Sequence, residues 1–373
     1  MPPVRLAILA LFLVFGSAAA AQRPGQLIAS EPVSAAPAGM RAWRLRYWTR
    51  DGEGRPAAAS AMLVAPTGAA RAPRPLLAWT HGTWGVVSRC APSLSPNFWI
   101  VTAGLDAVRR GYVVVAPDYP GLNGPGVHPF LSGTDTARSV LDSVRAAIAV
   151  PAAGAGRRFA VWGESQGGHA ALWTAQEVRS YAPELTLLGA AAAAPPTDLV
   201  ANLRETRNKA VRTFFLAYIG YSWSHRYGAP LATFGSRQDQ VILSRLARNN
   251  CIELNSRPRL GTILGIGVLQ RRWSRLDLGT VEPWAGLART NSPALRSPGV
   301  PLLIAQNADD DLVAPAVTRR FARAQCRAGS AVKWIDIAGK GHATSAKDSS
   351  AATLAWLDRR FAGQPTETSC GRF

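Results

Sequence analysis

The sequence predicts an α/β fold: a mostly parallel central sheet flanked by helices, with an inserted helical segment. Three observations predict it. Short strands that are apolar throughout recur along the chain. They alternate with amphipathic helices. One stretch, 199–290, breaks that rhythm. Strands without polar alternation are buried on both faces, as in a parallel sheet covered by helices on each side. The 373 residues are 47% hydrophobic and 17% charged, which supplies ample core and argues against disorder.

Element by element, residues 22–40 are rich in Ala, Pro and Ser and read as a leader with little structure. Trp43 to Arg50 and Ala57 to Val64 read as strands joined at Asp51-Gly52-Glu53-Gly54, a hairpin. Leu76 to Thr80 is a short apolar strand ending at His81-Gly82. Thr102 to Arg110 reads as a helix and Tyr112 to Ala116 as a strand. Thr134 to Val150 carries Ala137, Val140, Leu141, Val144, Ala147 and Ile148 at helical spacing. Phe159 to Trp162 is a strand, Gly168 to Tyr181 a helix and Leu185 to Ala194 a strand. Val300 to Gln306 and Val332 to Ile337 complete the sheet, and Ala346 to Phe361 closes the chain as a helix. The insertion holds helical stretches at Asp198 to Leu216 and Gln238 to Asn249, and many aromatics. The expected organisation is a core of 22–198 and 291–373 with a helical cap at 199–290.

Ligands of open α/β sheets sit at the carboxyl ends of the strands, so the strand ends direct attention to the chemistry. Gly163-Glu164-Ser165-Gln166-Gly167 matches G-x-S-x-G, after a strand and before a helix. That is the context of a nucleophile elbow in an α/β-hydrolase fold. Glycines suit it because a strained turn leaves no room for neighbouring side chains. A serine hydroxyl is a weak nucleophile and needs a base. The order in such folds is serine, acid, histidine, which selects His342, in the glycine-flanked loop after the last strand. The other histidines read as structural: His81 props its loop, His169 packs on the helix after the nucleophile, and His225 lies in the insertion. The acid belongs after Val300 to Gln306, where Asp309, Asp310 and Asp311 stand in a row. An Asp-x-x-Val pattern selects Asp310, with Asp309 and Asp311 as the remaining choices. An oxyanion requires donors, expected from the backbone of Gln166 and of the His81–Gly85 loop, with Thr83 the first candidate and Trp84 the second.

The remaining features bound the setting. Arg5, the apolar run Leu6 to Phe15 and small residues at 17–21 read as a signal peptide, 1–21. Its apolar run is shorter than the roughly 20 residues that span a bilayer. The expected location is secreted or periplasmic. Cys90, Cys251, Cys326 and Cys370 have no zinc spacing and fit two disulfides, with three pairings open. Net charge is +19, and all but four of the 42 basic residues are arginine. The arginines are scattered and no nucleic-acid motif is present, so no nucleic-acid partner is expected. Weak contact with an anionic membrane surface or lipid interface stays open. No HExxH, P-loop or G-x-G-x-x-G occurs. Neither a metal nor a cofactor is expected, because the triple aspartate lacks EF-hand spacing.

Several further segments resemble the secretory lipase family. They are His81-Gly82-Thr83, Arg89 to Ser93, Asp118 to Leu122 running on to Gly126-Val127-His128-Pro129, the helix 137–147, Trp162 to Ala170, Tyr181 to Leu185, and the Asp310 and His342 segments. The likeness covers roughly residues 40–360. It implies lipase or esterase action on acylglycerols and simpler esters, with a helical cap over the site. It also implies the pairings Cys90–Cys251 and Cys326–Cys370. Glu164, where histidine is more usual, and Asn307, where glycine is more usual, depart from the family pattern. The expected protein is a monomer acting on a small-molecule or lipid ester through an acyl-enzyme. The same machinery also serves an acyltransferase, and a hydrolase fold without turnover would be a binding protein.

Overall fold

The computed structural model describes residues 22–253, 256–339 and 341–373. The predicted signal peptide, 1–21, lies outside the described residues. The chain runs through strands β1 (Leu27–Val33), β2 (Met40–Arg50), β3 (Pro56–Pro66) and β4 (Arg74–Thr80), then a short helix α1 (Phe98–Val101) and strand β5 (Val113–Pro117). Helix α2 (Gly133–Ile148), strand β6 (Ala155–Glu164), helix α3 (Gln166–Tyr181) and strand β7 (Thr186–Ala193) follow. Five helices come next: α4 (Leu199–Glu205), α5 (Lys209–Tyr227), α6 (Arg237–Asn249), α7 (Leu260–Arg272) and α8 (Trp284–Asn291). Strand β8 (Leu302–Asn307), helix α9 (Pro315–Arg327), strand β9 (Val332–Ile337) and helices α10 (Ser345–Asp348) and α11 (Ser350–Phe361) complete the order.

The nine strands form one sheet in the order β1-β2-β3-β5-β4-β6-β7-β8-β9. The first three pair antiparallel and β3 pairs antiparallel with β5; from β5 to β9 every pairing is parallel. Alternate residues of one strand enter different cores. Val113 and Val115 of β5 join the cluster that includes Val140, Leu141 and Ala170 of α2 and α3. Val114 and Ala116 join the opposite cluster with Trp79, Trp162, Leu354 and Trp356. Burial on both faces is why these strands read as unbroken apolar runs. The inserted helices have their own core around Leu216, Trp223, Phe234, Trp273 and Trp284.

Five elements differ from the sequence expectation. Residues 27–33 are not a structureless leader but the edge strand β1, paired with β2. Its side chains are mostly exposed, so no apolar alternation marks it, and Glu31 and Pro32 suit an edge. The helix expected at Thr102 to Arg110 is of the tighter 3₁₀ type, over Ala103–Arg110. The helix expected at Asp198 to Leu216 divides into α4 and α5. Between them, the Arg207 and Asn208 amides donate to the Asp311 carbonyl, and the Asn208 side chain caps α5. The C-terminal helix breaks at Ser349.

Helix α7 was not expected, because Gly261, Gly265 and Gly267 weaken local helix propensity. Packing overrides it. An added Cβ on Gly265 would lie 3.2 Å from Ile242 and 3.3 Å from Leu246, both on α6.

Candidate active site

Four loops at the carboxyl ends of β4, β6, β8 and β9 converge. The turn after β6 holds Ser165 at φ +55°, a left-handed conformation that is strained for a non-glycine residue. The neighbouring glycines are required by close approach. A Cβ on Gly163 would sit 2.0 Å from Thr80 Oγ1, and one on Gly167 would sit 1.9 Å from the Thr80 carbonyl oxygen. The turn is thus pressed against the end of β4, and a Cβ on Gly82 would lie 3.9 Å from Ser165 Cβ. Gln166 opens α3, so its N–H belongs to the first helical turn, whose amides lack intrahelical acceptors. Thr83 and Trp84 line the cavity beside Ser165.

His342 Nε2 lies 2.7 Å from Ser165 Oγ, and His342 Nδ1 lies 2.7 Å from Asp310 Oδ2. The other Asp310 oxygen accepts the Leu312 and Val313 amides, each at 2.9 Å, and Gln306 Nε2 donates to Oδ2 at 3.1 Å. Burial opposes ionisation of Asp310, but the His342 hydrogen bond and charge and these amides outweigh it. They hold the carboxyl below the usual carboxylate range. An ionised carboxylate only accepts, so Nδ1 carries the proton and Nε2 is free to accept from the serine hydroxyl.

The three consecutive aspartates have separate environments. Asp310 is buried. Asp309 is exposed, and the Asp311 carboxylate accepts from Asn208 Nδ2 at 3.3 Å. They do not converge on a cation, and among the described residues no group of three His, Cys, Asp or Glu side chains could hold a metal.

The remaining histidines are fixed elsewhere. Burial lowers the pKa of His81 and of His169 to about 4, and that of His128 to about 3. All three rings are therefore neutral at pH 7. His81 Nδ1 meets the Gly82 carbonyl at 2.6 Å, and its ring lies 4.2 Å from that of Tyr119. His169 Nε2 donates to the Asn291 carbonyl at 2.7 Å. His225, in the insertion, meets the Tyr221 carbonyl at 2.7 Å.

Two contacts were not assigned from sequence. His128 Nδ1 donates to the Pro120 carbonyl at 3.1 Å, which leaves Nε2 to accept from Gln166 Nε2 at 2.6 Å. The signal was a histidine in a Gly/Pro-rich loop, which carries no pointer to a residue 38 positions on. The second is at Glu164, beside Ser165. Its carboxylate accepts the Ala346 amide at 2.9 Å, and burial pushes its pKa up to about 7.

Ser165 and His342 open on a cavity of about 940 Å³. Trp79, Phe98 and Val101 line it from the core, and Phe214, Phe215 and Ile266 from the inserted helices. Two disulfides brace the frame. Cys90–Cys251 (Cα–Cα 5.2 Å) ties the loop after β4 to the insertion, and Cys326–Cys370 (5.5 Å) ties α9 to the C-terminus.

Lipase 5 of Candida albicans is 25% identical over 350 residues, covering 88% of this chain and 73% of that protein. The Probable inactive lipase MT1628 of Mycobacterium tuberculosis is 25% identical, covering 92% and 79%. Among solved structures, Candida antarctica lipase A in its closed state matches with a TM-score of 0.76 at 21% identity, covering 94% of this chain and 85% of that one. The rice cell wall degrading esterase LipA from Xanthomonas oryzae matches with a TM-score of 0.72 at 21% identity, covering 92% and 100%. These likenesses show the shared α/β-hydrolase fold. The family model of secretory lipases matches residues 100–221 and 288–369, more than half of the chain, and the chain belongs to that family.

Proposed function

We propose that the protein hydrolyses carboxylic esters through an acyl-enzyme on Ser165. Its family and its lipase and esterase relatives make it a carboxylic ester hydrolase. One relative carries the name of an inactive lipase, so the chemistry is argued from the residues of this chain. The observation that carries the reading is the unbroken hydrogen-bonded line Asp310–His342–Ser165, 2.7 Å at each step, opening on the cavity.

In this mechanism Ser165 Oγ attacks the ester carbonyl as its proton passes to His342 Nε2. Asp310 holds the ring in the required tautomer and stabilises the imidazolium. Negative charge on the carbonyl oxygen is met by the N–H groups of Gln166 and Thr83, aided by the α3 N-terminus. Collapse breaks the ester C–O bond, and His342 returns the proton to the departing alcohol. Water, activated by His342, then attacks the acyl carbon and regenerates the serine. The inserted helices 199–290 act as a cap, supported by Phe214, Phe215 and Ile266 lining the same cavity as Ser165. Two disulfides and the signal-peptide pattern of residues 1–21 support secretion into an oxidising compartment.

Hydrolysis of a p-nitrophenyl ester series, from short to long acyl chains, tests the reading. Ser165→Ala is expected to lower kcat by about 10⁴-fold or more with the fold intact. An intact parent that turns over no ester would overturn it.

A further inference from the structure

The two segments assigned as oxyanion donors rest on one group of packed rings. His81, Tyr119, His128 and Gln166 are all buried. The Tyr119 ring lies 4.2 Å from that of His81 and 5.5 Å from that of His128, tilted only 16° from the second. Tyr119 has φ +68°, a strained value for a non-glycine residue that its surroundings must impose. Its hydroxyl donates to the His81 carbonyl at 3.2 Å, two residues before Thr83. On the other side, His128 Nε2 accepts from the Gln166 side chain at 2.6 Å.

That bond fixes the Gln166 side chain. Among the described residues it is the side chain's only hydrogen bond, and Gln166 Oε1 is buried without a partner. An apolar side chain of the same length would avoid the cost of that orphan oxygen, so the amide serves through its other end. Turning it over would set Oε1 against the lone pair of Nε2, because Nδ1 gives the ring's one proton to the Pro120 carbonyl at 3.1 Å. Burial keeps the ring neutral, with its pKa lowered to about 3, so Nε2 stays an acceptor at neutral pH. His128 is itself held on three sides. A Cβ on Gly121 would stand 2.3 Å from its backbone nitrogen, its N–H donates to the Val86 carbonyl at 3.0 Å, and its carbonyl accepts from Ser222 Oγ of α5 at 2.6 Å. The peptide that follows Ser165, at φ +55° and ψ −120°, carries the Gln166 N–H. A strained peptide keeps its direction only where neighbours over-determine it. The close approach at Gly163 and Gly167 clamps this one against β4, and the Gln166 side chain ties it to His128.

We propose that His128 is a positioning residue: through the Gln166 side chain it aims the Gln166 main-chain N–H at the oxyanion. The inference rests on the ester-hydrolase reading. Three variants test it: Gln166→Met, which keeps the main-chain N–H, His128→Phe, which keeps a ring against Tyr119, and the two combined. With a soluble p-nitrophenyl ester, each single change is expected to lower kcat at least about tenfold with KM within about twofold. That is a share of the roughly 10²–10³-fold that loss of an oxyanion donor costs. The double variant is expected to lose no more than the worse single one, because all three remove the same bond. Phenylboronic acid, which closes to a tetrahedral adduct on a serine, is expected to inhibit more weakly by the factor by which kcat/KM falls. A merely destabilised fold would lower kcat through the active fraction and leave that inhibition constant where it was. An unchanged kcat in folded Gln166→Met, additive losses, or an unchanged boronate inhibition constant would each overturn the proposal. Where His128→Phe does not fold by circular dichroism, Gln166→Met decides alone. A parent that turns over no ester overturns the hydrolase reading and this one with it; an active parent with unaffected variants overturns this one alone.

Discussion

At the scale of single residues, Glu164 has the most distinctive position. It precedes Ser165, lines the cavity, and accepts the amide of Ala346 in α10, just after the loop that carries His342. Burial raises its pKa from the ordinary 4.5 to about 7, although the Ala346 amide and the His342 charge pull it down. The sign for stability follows from linkage. An acid harder to ionise in the fold loses stability as pH rises from about 4.5 to about 7, while the unfolded chain ionises and the folded chain resists. Glu164→Gln keeps an oxygen for Ala346 and removes the charge. It is expected to raise Tm more at pH 8 than at pH 4, by differential scanning calorimetry. An equal change in Tm at both pH values would leave Glu164 a tether without an electrostatic role.

Asp310 has the opposite sign. Its depressed pKa stabilises the fold above its ordinary 3.8, and that contribution disappears as pH falls through the folded value. Asp310→Asn is expected to lower kcat by about 10⁴-fold, since the amide favours the wrong tautomer of His342. Asp309→Asn, at an exposed carboxylate, is expected to leave kcat unchanged in the same assay.

Elements set the geometry these residues need. The elbow is held by β6 and α3 meeting the end of β4 with no space for a side chain at Gly167, where a Cβ would stand 1.9 Å from a carbonyl oxygen. Gly167→Ala is expected to cost about 3 kcal/mol, read from urea unfolding, and to lower activity with it. The insertion is tied to the loop after β4 by Cys90–Cys251, across 161 residues of sequence. Replacing both cysteines by serine is expected to cost about 2–5 kcal/mol. The loss concerns the packing between loop and insertion, so protease cleavage within 229–260 is expected to rise before the sheet unfolds.

For the whole molecule, charge is the dominant long-range term. Lys and Arg total 42 against 23 Asp and Glu, so many arginines have no carboxylate partner. Mutual repulsion destabilises a compact state of this charge. Raising ionic strength from about 0.01 M to about 0.15 M shortens the Debye length from about 30 Å to about 8 Å. Exposed ion pairs such as Arg289–Glu282 weaken as well, but each contributes at most about 1 kcal/mol. The net expectation is a higher Tm in salt; a lower one would mean that the ion pairs outweigh the repulsion.

The parallel core was legible because burial on both faces leaves a mark in every strand, as in Val113 to Ala116 and Phe159 to Trp162. Ser165 and His342 were legible because a strained turn demands glycines beside it and because fold order separates base from nucleophile. What local pattern did not carry was decided by contacts between distant segments. Strand β1 forms because β2 offers it an edge. Helix α7 forms despite three glycines because α6 packs on it. His128 meets Gln166, and Glu164 meets Ala346, only after the sheet brings their loops together. The sequence by itself determined the order of elements and the kinds of residue at the strand ends. Among three adjacent aspartates the Asp-x-x-Val pattern pointed to Asp310 but left Asp309 and Asp311 open; the tertiary structure decided between them, because the folded loop buries Asp310 under two amides and an imidazole and leaves Asp309 in water.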